Sequence, residues 1–372
     1  MSKYFVTSTL MLVLAIVVNG QLLPTTSPYA SVTQRIGLTD VTISYFRPSV
    51  NGREVWGKLV PYGYSGTTFS TDDFSTMPER AAPWRTGANN ATTIEFTTDV
   101  TIENTSLSKG KYALFIAPID DSQADIILST LWDQAGSFVY DKKFDAARIR
   151  VKTTPSEFKE EMGFEFNKVT LDAAEASLVW ERKRIPFVIH VDTKKIVGDK
   201  LIAESYAPHS MNQNWRTTAT VYMMNNKIKL DHAERWAQWL NTLPGAGFTQ
   251  QTTYGNILLL QGKQAEADSL LNIAFSNAKS AGVGILIFYG NQVLSLELPD
   301  VAIRTYNTIK DVFPDNEWTV YYGLAKAYSM KKNYKEAVRF LKMAEKHMPE
   351  NFDRVKFKND LDKLGKGQDI NA

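Results

Sequence analysis

The sequence predicts two kinds of fold in one chain, an antiparallel β-sandwich or barrel followed by an array of α-helical repeats. Apolar residues recur at every second position between Ser27 and Asp192, which is typical of half-buried strands. After Asp192 the apolar spacing becomes helical. Four alanines then recur at intervals of 34, 35 and 35 residues, namely Ala233, Ala267, Ala302 and Ala337. A chain of 372 residues has room for both parts.

The first 20 residues have the layout of a secretory signal peptide. Lys3 precedes an apolar run from Leu10 to Val18, and the small residue Gly20 follows it. The run is shorter than a comfortable membrane span. The alternative is a buried N-terminal strand or helix. We expect export to the periplasm or the extracellular space, cleavage near Gly20, and no transmembrane span in the mature chain.

The segment from Ser27 to Asp192 contains many short strands separated by turns. In one of them Val41, Ile43 and Tyr45 alternate with polar residues, and Gly, Pro, Asn and Asp separate the strands. This arrangement favours an antiparallel sandwich or barrel. The segment from Tyr64 to Ala82 has no clear period, and we interpret it as a long loop placed next to Trp84.

The helical half carries an internal repeat beyond the four alanines. Tyr306 and Leu341 follow Ala302 and Ala337, respectively, by four residues, and Pro314 and Pro349 follow them by twelve. Small residues let two helices cross closely, and Pro ends the second helix. The segment resembles tetratricopeptide repeats, with its best copy from Trp318 to Asn351 and a weak copy around Ala233. The alternative is an unrelated helical bundle.

These patterns divide the chain into five parts. We expect a signal peptide over residues 1–20, a β-sandwich domain over 27–192, a connecting helical segment over 193–213, helical repeats over 214–351, and a capping helix and tail over 352–372.

One short stretch, Trp84 to Asn90, concentrates residues suited to a binding site. Trp84 offers a large apolar face with one N–H donor, and Arg85 offers five donors in a rigid fork. Gly87 and Asn89 permit a turn before the next strand. One interpretation is a structural corner, in which Trp84 fills the core and Arg85 binds loop carbonyls. The other is a pocket for an anion or a sugar, in which Trp84, Arg85 and Asn89 meet Arg47 or Arg53.

The first domain resembles the domain-of-unknown-function family 2911. The resemblance covers roughly residues 27 to 192 and rests on these segments: Ser27-Pro28, Val41 to Tyr45, Arg47-Pro48-Ser49, Gly52-Arg53, Leu59 to Gly63, Trp84 to Asn89, Gly110 to Tyr112, and Arg184 to Phe187. Two departures are Asn90, where relatives often carry an acidic residue, and the long loop from Tyr64 to Ala82. The resemblance implies a bacterial, exported protein and leaves its chemistry open.

Composition excludes several kinds of chemistry. A net charge of +2 gives no field that would attract nucleic acid, and the absence of cysteine excludes thiol catalysis, disulfides and cysteine-bound zinc. The four histidines share no metal-ligand spacing, although His190 and Asp192 face one side of a predicted strand. Asp120-Asp121 is interpreted as a turn. The sequence therefore predicts no metal and no cofactor, and it identifies no catalytic residue.

Two functional hypotheses follow from these observations. In the first, the chain is an exported binding or scaffold protein whose β domain binds a small molecule or a glycan and whose repeats bind a protein. In the second, it is an exported hydrolase that uses the loop from Tyr64 to Ala82 as a lid. The sequence shows no general acid–base pair, which favours the first hypothesis.

Overall fold

A computed structural model describes residues 24–70, 76–77 and 80–371 of the chain. The predicted signal peptide over residues 1–20 lies outside the described residues, as do residues 71–75 and 78–79 of the loop from Tyr64 to Ala82. The chain divides into two compact units, one up to Thr193 and one from Lys194 onward. Antiparallel strands form the first unit and helices form the second.

The larger sheet of the first unit has six antiparallel strands. Its order is β1 (Tyr29–Ile36), β2 (Thr39–Phe46), β3 (Thr93–Phe96), β6 (Gly110–Pro118), β7 (Gln123–Ser129) and β8 (Asp145–Lys152). The predicted alternation is present in β2, where Val41, Ile43 and Tyr45 are buried and the intervening residues are partly exposed. β6 and β7 are interior strands of this order and are buried along almost their whole length.

The smaller sheet has four antiparallel strands. Its order is β5 (Thr105–Leu107), β4 (Val100–Ile102), β10 (Ala173–His190) and β9 (Thr154–Asn167). The pairing of β9 with β10 shifts register on both sides of Glu181, whose φ is 54°. We call this irregularity the Glu181 bulge. A bulge changes which residues of a strand face the core.

The segment that follows β2 joins the two sheets. Val50 N–H donates to Glu160 O at 2.8 Å, and Met162 N–H donates to Pro48 O at 3.0 Å. The Tyr45 hydroxyl accepts from Phe164 N–H at 3.1 Å. Within the described residues neither sheet closes on itself, because β1 and β8 each have one neighbour in the larger sheet. The barrel alternative therefore does not hold.

The second unit consists of helices in regular succession. The helices are α1 (Thr193–Glu204), α2 (Gln213–Asn225), α3 (Leu230–Thr242), α4 (Phe248–Leu260), α5 (Gln264–Ser276), α6 (Ala278–Ala281), α7 (Val283–Ser295), α8 (Pro299–Val312), α9 (Glu317–Met330), α10 (Tyr334–Glu345) and α11 (Arg354–Gly365). The helices α3, α5, α8 and α10 begin at intervals of 34, 35 and 35 residues. The intervals between the four alanines in the sequence are therefore the same as the intervals between the first residues of these helices.

Small residues lie where these helices pack. Ala233, Ala267, Ala302 and Ala337 are all fully buried. The ring of Tyr306 lies against Gly323 so closely that a Cβ built on this glycine would be 2.3 Å from the ring. A larger residue at that position would force the two helices apart.

Every helix within the described residues is too short or too polar to cross a lipid bilayer.

Candidate functional site

The stretch from Trp84 to Asn89 forms a tight turn that is fixed at both ends. Ile116 N–H donates to Trp84 O at 3.1 Å, and Thr92 N–H donates to Arg85 O at 3.2 Å. Gly87 has a φ of 155°, and a Cβ there would lie 2.8 Å from Phe46 O. Glycine is therefore required by both conformation and space.

Two residues other than glycine in this turn adopt left-handed backbone conformations. Asn89 has a φ of 53°, which asparagine tolerates. Thr86 has a φ of 59° and is fully buried, and this conformation is a true outlier for a β-branched residue. Its carbonyl accepts a hydrogen bond of 2.7 Å from the Thr92 hydroxyl. Strained backbone of this kind concentrates at functional sites, so the turn is a candidate site.

The turn borders a cavity of about 460 Å³, which we call the arginine cavity. Trp84, Arg85, Asn89 and Arg53 all line it. The rest of its described lining includes small polar residues and a second indole: Ser27, Ser49, Asn51 and Trp180. Two arginines thus contribute to one cavity, and its described lining contains no Asp or Glu.

Neutral groups hold the Arg85 side chain in place. Its Nη1 donates to Asn89 O at 3.0 Å, and its guanidinium lies 4.9 Å from the centre of the Phe138 ring. Gly136 gives the guanidinium room, because a Cβ there would be 2.6 Å from Nη1. Burial lowers the pKa of Arg85, but arginine stays charged in proteins. Among the described residues no carboxylate forms an ion pair with this charge.

Backbone carbonyls also position Arg53. Its Nε donates to Val50 O at 3.0 Å, and its Nη2 donates to Ser49 O at 2.6 Å. As with Arg85, no carboxylate among the described residues pairs with it. A guanidinium has five N–H donors, so both arginines keep donors for a ligand. Two fixed cations that have no counter-charge among the described residues attract an anion.

Arg47, the fifth residue predicted for the site, is not among the described residues that line the arginine cavity. Its Nε donates to Met162 O at 2.9 Å, and its Nη2 lies 3.3 Å from a carboxylate oxygen of Glu161. The segment Arg47–Val50 crosses to β9, so the side chain of Arg47 is directed toward that strand. We therefore assign Arg47 a structural role and leave it out of the site.

Two of the residues that line the arginine cavity, Trp84 and Trp180, pack together with a third tryptophan. Trp84 stacks on Trp180 with ring centres 5.8 Å apart and an angle of 17° between the planes. Trp56 meets both rings edge-on, at 6.0 Å and 6.1 Å. We call these residues the tryptophan cluster. Its two members Trp84 and Trp180 give the cavity an aromatic side.

Residues 27–189 match the family model described as Protein of unknown function (DUF2911). The match covers a little under half of the chain and supports the resemblance seen in the sequence. The tryptophan cluster and both arginines of the cavity lie inside this DUF2911 region. No curated protein matches the chain.

The DUF2911 region contains a second group of arginines, which differs from the first because each arginine has a carboxylate partner. Asp125 accepts from the Tyr64 hydroxyl at 2.6 Å and from Arg150. Asp145 accepts from the Tyr140 hydroxyl at 2.8 Å and from Arg148 at 2.6 Å. We call these six residues the paired network. Because each arginine of the paired network is neutralised by a carboxylate, we interpret the network as structural support.

His190 and Asp192 line a separate cavity of about 660 Å³ at the end of the smaller sheet. Asp99 and Glu103 also line it, and the Glu103 carboxylate accepts from Val188 N–H at 2.9 Å. Across the part of the chain that the structure describes, no group of three or more His, Cys, Asp or Glu could hold a metal ion.

Proposed function

We propose that the protein is an exported binding protein whose DUF2911 region holds an anionic ligand in the arginine cavity. One observation carries the proposal: two arginines line one cavity whose described lining has no acidic residue. Backbone carbonyls and an aromatic ring orient both groups, so binding needs little reorganisation. A planar carboxylate or a phosphate fits the fork of an arginine.

The hydrolase hypothesis receives less support from the same geometry. A hydrolase needs a general acid or base within reach of the bound group. The described lining of the arginine cavity contains no Asp, Glu or His. In the paired network the Asp125 carboxylate accepts from Arg150 and Tyr64, and Oδ2 of Asp145 accepts from Arg148 and Tyr140. Binding is therefore the function that we propose.

The test is a thermal-shift measurement on the full chain with single anions. Glucuronate, citrate, inorganic phosphate and sulfate serve as probes, because a ligand that binds the native state raises its melting temperature. We expect at least one of them to raise the melting temperature of the parent, with no rise in the Arg85→Ala and Arg53→Ala variants.

The matched control removes an arginine of the same domain that lies outside the cavity. Arg35 pairs with Asp40 on the hairpin of β1 and β2, at 2.7 Å, and is largely exposed. The Arg35→Ala variant should respond to the anion as the parent does. An equal response in Arg85→Ala would place the anion elsewhere. If none of the probes stabilises the parent, the binding proposal is wrong.

For the architecture, we propose that residues 27–192 form a β-sandwich and that residues 214–351 form tetratricopeptide-like repeats. Contacts such as that of Tyr45 with Phe164 support the packing of the two sheets, and the regular helix spacing supports the repeats.

We further propose that the repeats bind a protein partner, because Phe288 of α7 is 70% exposed beside the exposed Ile285. A photo-crosslinking residue at position 288 should capture one defined protein that the same residue at Lys310 does not.

Export is part of the same proposal and rests on the layout from Lys3 to Gly20. N-terminal sequencing of the mature protein should begin close to Gln21. An intact Met1 on a protein recovered from the cytoplasm would contradict export.

A further inference from the structure

A second and larger cavity lies beside the arginine cavity, and we call it the lysine cleft. It has a volume of about 860 Å³ and is lined by Trp56, Tyr62, Phe158 and Lys183. Arg53 lines both the lysine cleft and the arginine cavity. Trp56 also contacts the two indoles that line the arginine cavity. The two cavities therefore share one arginine and one tryptophan cluster.

The two cavities differ in charge. The described lining of the lysine cleft has four Lys or Arg residues and four Asp or Glu residues, so its formal charges balance. A ligand of one sign would be repelled by half of these groups. A hydroxyl group donates one hydrogen bond and accepts two, so it can use both kinds of partner. The lysine cleft is thus suited to a neutral ligand with many hydroxyl groups.

Lys183 is the central residue of the cleft. Its side chain is almost buried, and Nζ lies 5.0 Å from the centre of the Trp56 ring and 5.5 Å from that of Tyr62. Nζ donates to Asp121 Oδ1 at 3.1 Å, and the Tyr62 hydroxyl also donates to Asp121. An ammonium has three N–H donors, and the described residues accept from one of them. Two donors are left for a bound molecule.

The Glu181 bulge is what turns Lys183 inward. Uninterrupted alternation from the buried Trp180 would bring Arg182 and Arg184 inward and turn Lys183 outward. The buried and exposed positions of β10 change order between Trp180 and Lys183, so Lys183 instead shares the buried face with Ile185. Bulges often redirect side chains next to binding sites.

We propose that the lysine cleft is a second subsite and that the ligand is an acidic oligosaccharide. One carboxylate-bearing sugar occupies the arginine cavity, and neutral sugars extend into the lysine cleft. The proposal rests on the anion binding proposed above. The exposed rings of Tyr62 and Phe158 offer flat apolar surfaces to sugar rings, while Lys183 and Asp121 offer a donor and an acceptor to sugar hydroxyls.

Calorimetric titration of the full chain with three sugars tests the proposal. The probes are glucuronic acid, a trisaccharide of one glucuronic acid linked to two xyloses, and neutral xylotriose. We expect glucuronic acid to bind, the acidic trisaccharide to bind about tenfold more tightly because it fills both subsites, and xylotriose not to bind measurably.

Variants separate the two subsites. Lys183→Met and Asp121→Ala should each remove most of the trisaccharide's advantage and leave the affinity for glucuronic acid unchanged. Asp121 is 86% exposed at its side chain, so Asp121→Ala keeps the test valid if Lys183→Met does not fold. Arg85→Ala should weaken both acidic sugars about tenfold or more. Arg35→Ala should bind all three sugars as the parent does.

The outcomes distinguish this inference from the proposed function. Equal affinity for glucuronic acid and the acidic trisaccharide would overturn the second subsite and leave anion binding intact. Binding of phosphate or citrate without either acidic sugar would overturn the sugar class alone. Tighter binding of xylotriose than of glucuronic acid would also overturn it. If no anion binds, both proposals fail together.

Discussion

The arginine cavity and the paired network each contain two arginines, but their surroundings are opposite. In the paired network a carboxylate accepts from each arginine, and a tyrosine hydroxyl donates to the same carboxylate. In the arginine cavity the described partners of Arg53 and Arg85 are backbone carbonyls and one aromatic ring. The same residue type therefore stabilises the fold in one region and leaves an open positive charge in the other.

The role of an arginine is indicated better by the chemical type of its partner than by the burial of its side chain. A carboxylate neutralises the guanidinium, so that removing one partner leaves the other uncompensated. A backbone carbonyl orients the guanidinium without neutralising it. Arg47, which pairs with Glu161, belongs with the first kind although it adjoins the site in sequence.

The largest expected effect comes from breaking the paired network. Asp145→Ala should lower the free energy of unfolding by about 2–3 kcal/mol, because it leaves Arg148 and the Tyr140 hydroxyl without their acceptor. Chemical denaturation measures the change. The control is Asp40→Ala, which removes an exposed pair with Arg35 and should change stability little. If both variants unfold alike, the paired network is not a structural support.

A core substitution in the helical unit sharpens the comparison by separating loss of stability from loss of binding. Ala337→Leu should lower the free energy of unfolding by about 1–3 kcal/mol, because Ala337 is fully buried and leucine overpacks its site. Anion affinity of the folded protein should not change. A melting curve identical to that of the parent would show that the assigned repeat register is wrong.

Lowering the pH should reduce the stability that the paired network contributes and should not change the contribution of the arginine cavity. Burial alone would raise the pKa of the Asp125 carboxyl, but hydrogen bonds from Arg150 and Tyr64 outweigh it and hold that pKa below its usual value. The stability that this carboxylate contributes is complete above the unfolded-state pKa of about 3.9 and is lost as the pH falls toward the folded-state pKa.

Denaturation midpoints between about pH 5 and pH 2 measure this loss. The Asp125→Asn variant lacks the contribution at every pH, so its midpoint should fall less steeply than that of the parent. Arg85→Ala should keep the parent's slope, because the described lining of the arginine cavity has no acidic group. Equal slopes for the parent and Asp125→Asn would contradict the role of this carboxylate.

The smallest expected change in stability comes from the arginine cavity itself. Arg85→Ala should cost less than about 1 kcal/mol, because the one carbonyl that it releases, Asn89 O, lies at an exposed position. Its melting curve without ligand measures this. The matched variant Arg47→Ala should cost about 1–2 kcal/mol through Met162 O and Glu161, while anion binding stays normal. A larger loss in Arg85→Ala than in Arg47→Ala would reverse the comparison and make Arg85 a structural residue.

The sequence allowed the local features to be predicted. The alternation of Val41, Ile43 and Tyr45 is the alternation of a strand with one buried face, and the neighbouring Asn89 indicates that Gly87 belongs to a turn. These features depend on residues close together in the chain. The barrel alternative could not be excluded at that stage, since closure depends on whether the first and last strands pair.

The residues that sequence reasoning missed all depend on distant contacts. The sequence places Asp121 in a turn, which says nothing of its partners. In the structure its carboxylate accepts hydrogen bonds from Lys183 of β10 and from the Tyr62 hydroxyl of another loop. Trp56 and Trp180 are far apart in the chain and adjacent in the structure. One signal was available: Lys183 has the same parity as Ile185 and Phe187, which places a lysine on the apolar side of a strand.

The Glu181 bulge has a consequence for how this domain could vary among its relatives. Between the pairs Val179–Gly163 and Lys183–Pro155 β10 advances by four residues and β9 by eight, so the surplus residues lie in β9, opposite Glu181. The gain or loss of an even number of β9 residues there would keep the same strand faces buried. Homologous chains that differ in length at this position should share the arginine cavity and differ in the shape of the lysine cleft, which Phe158 and Glu160 of β9 line.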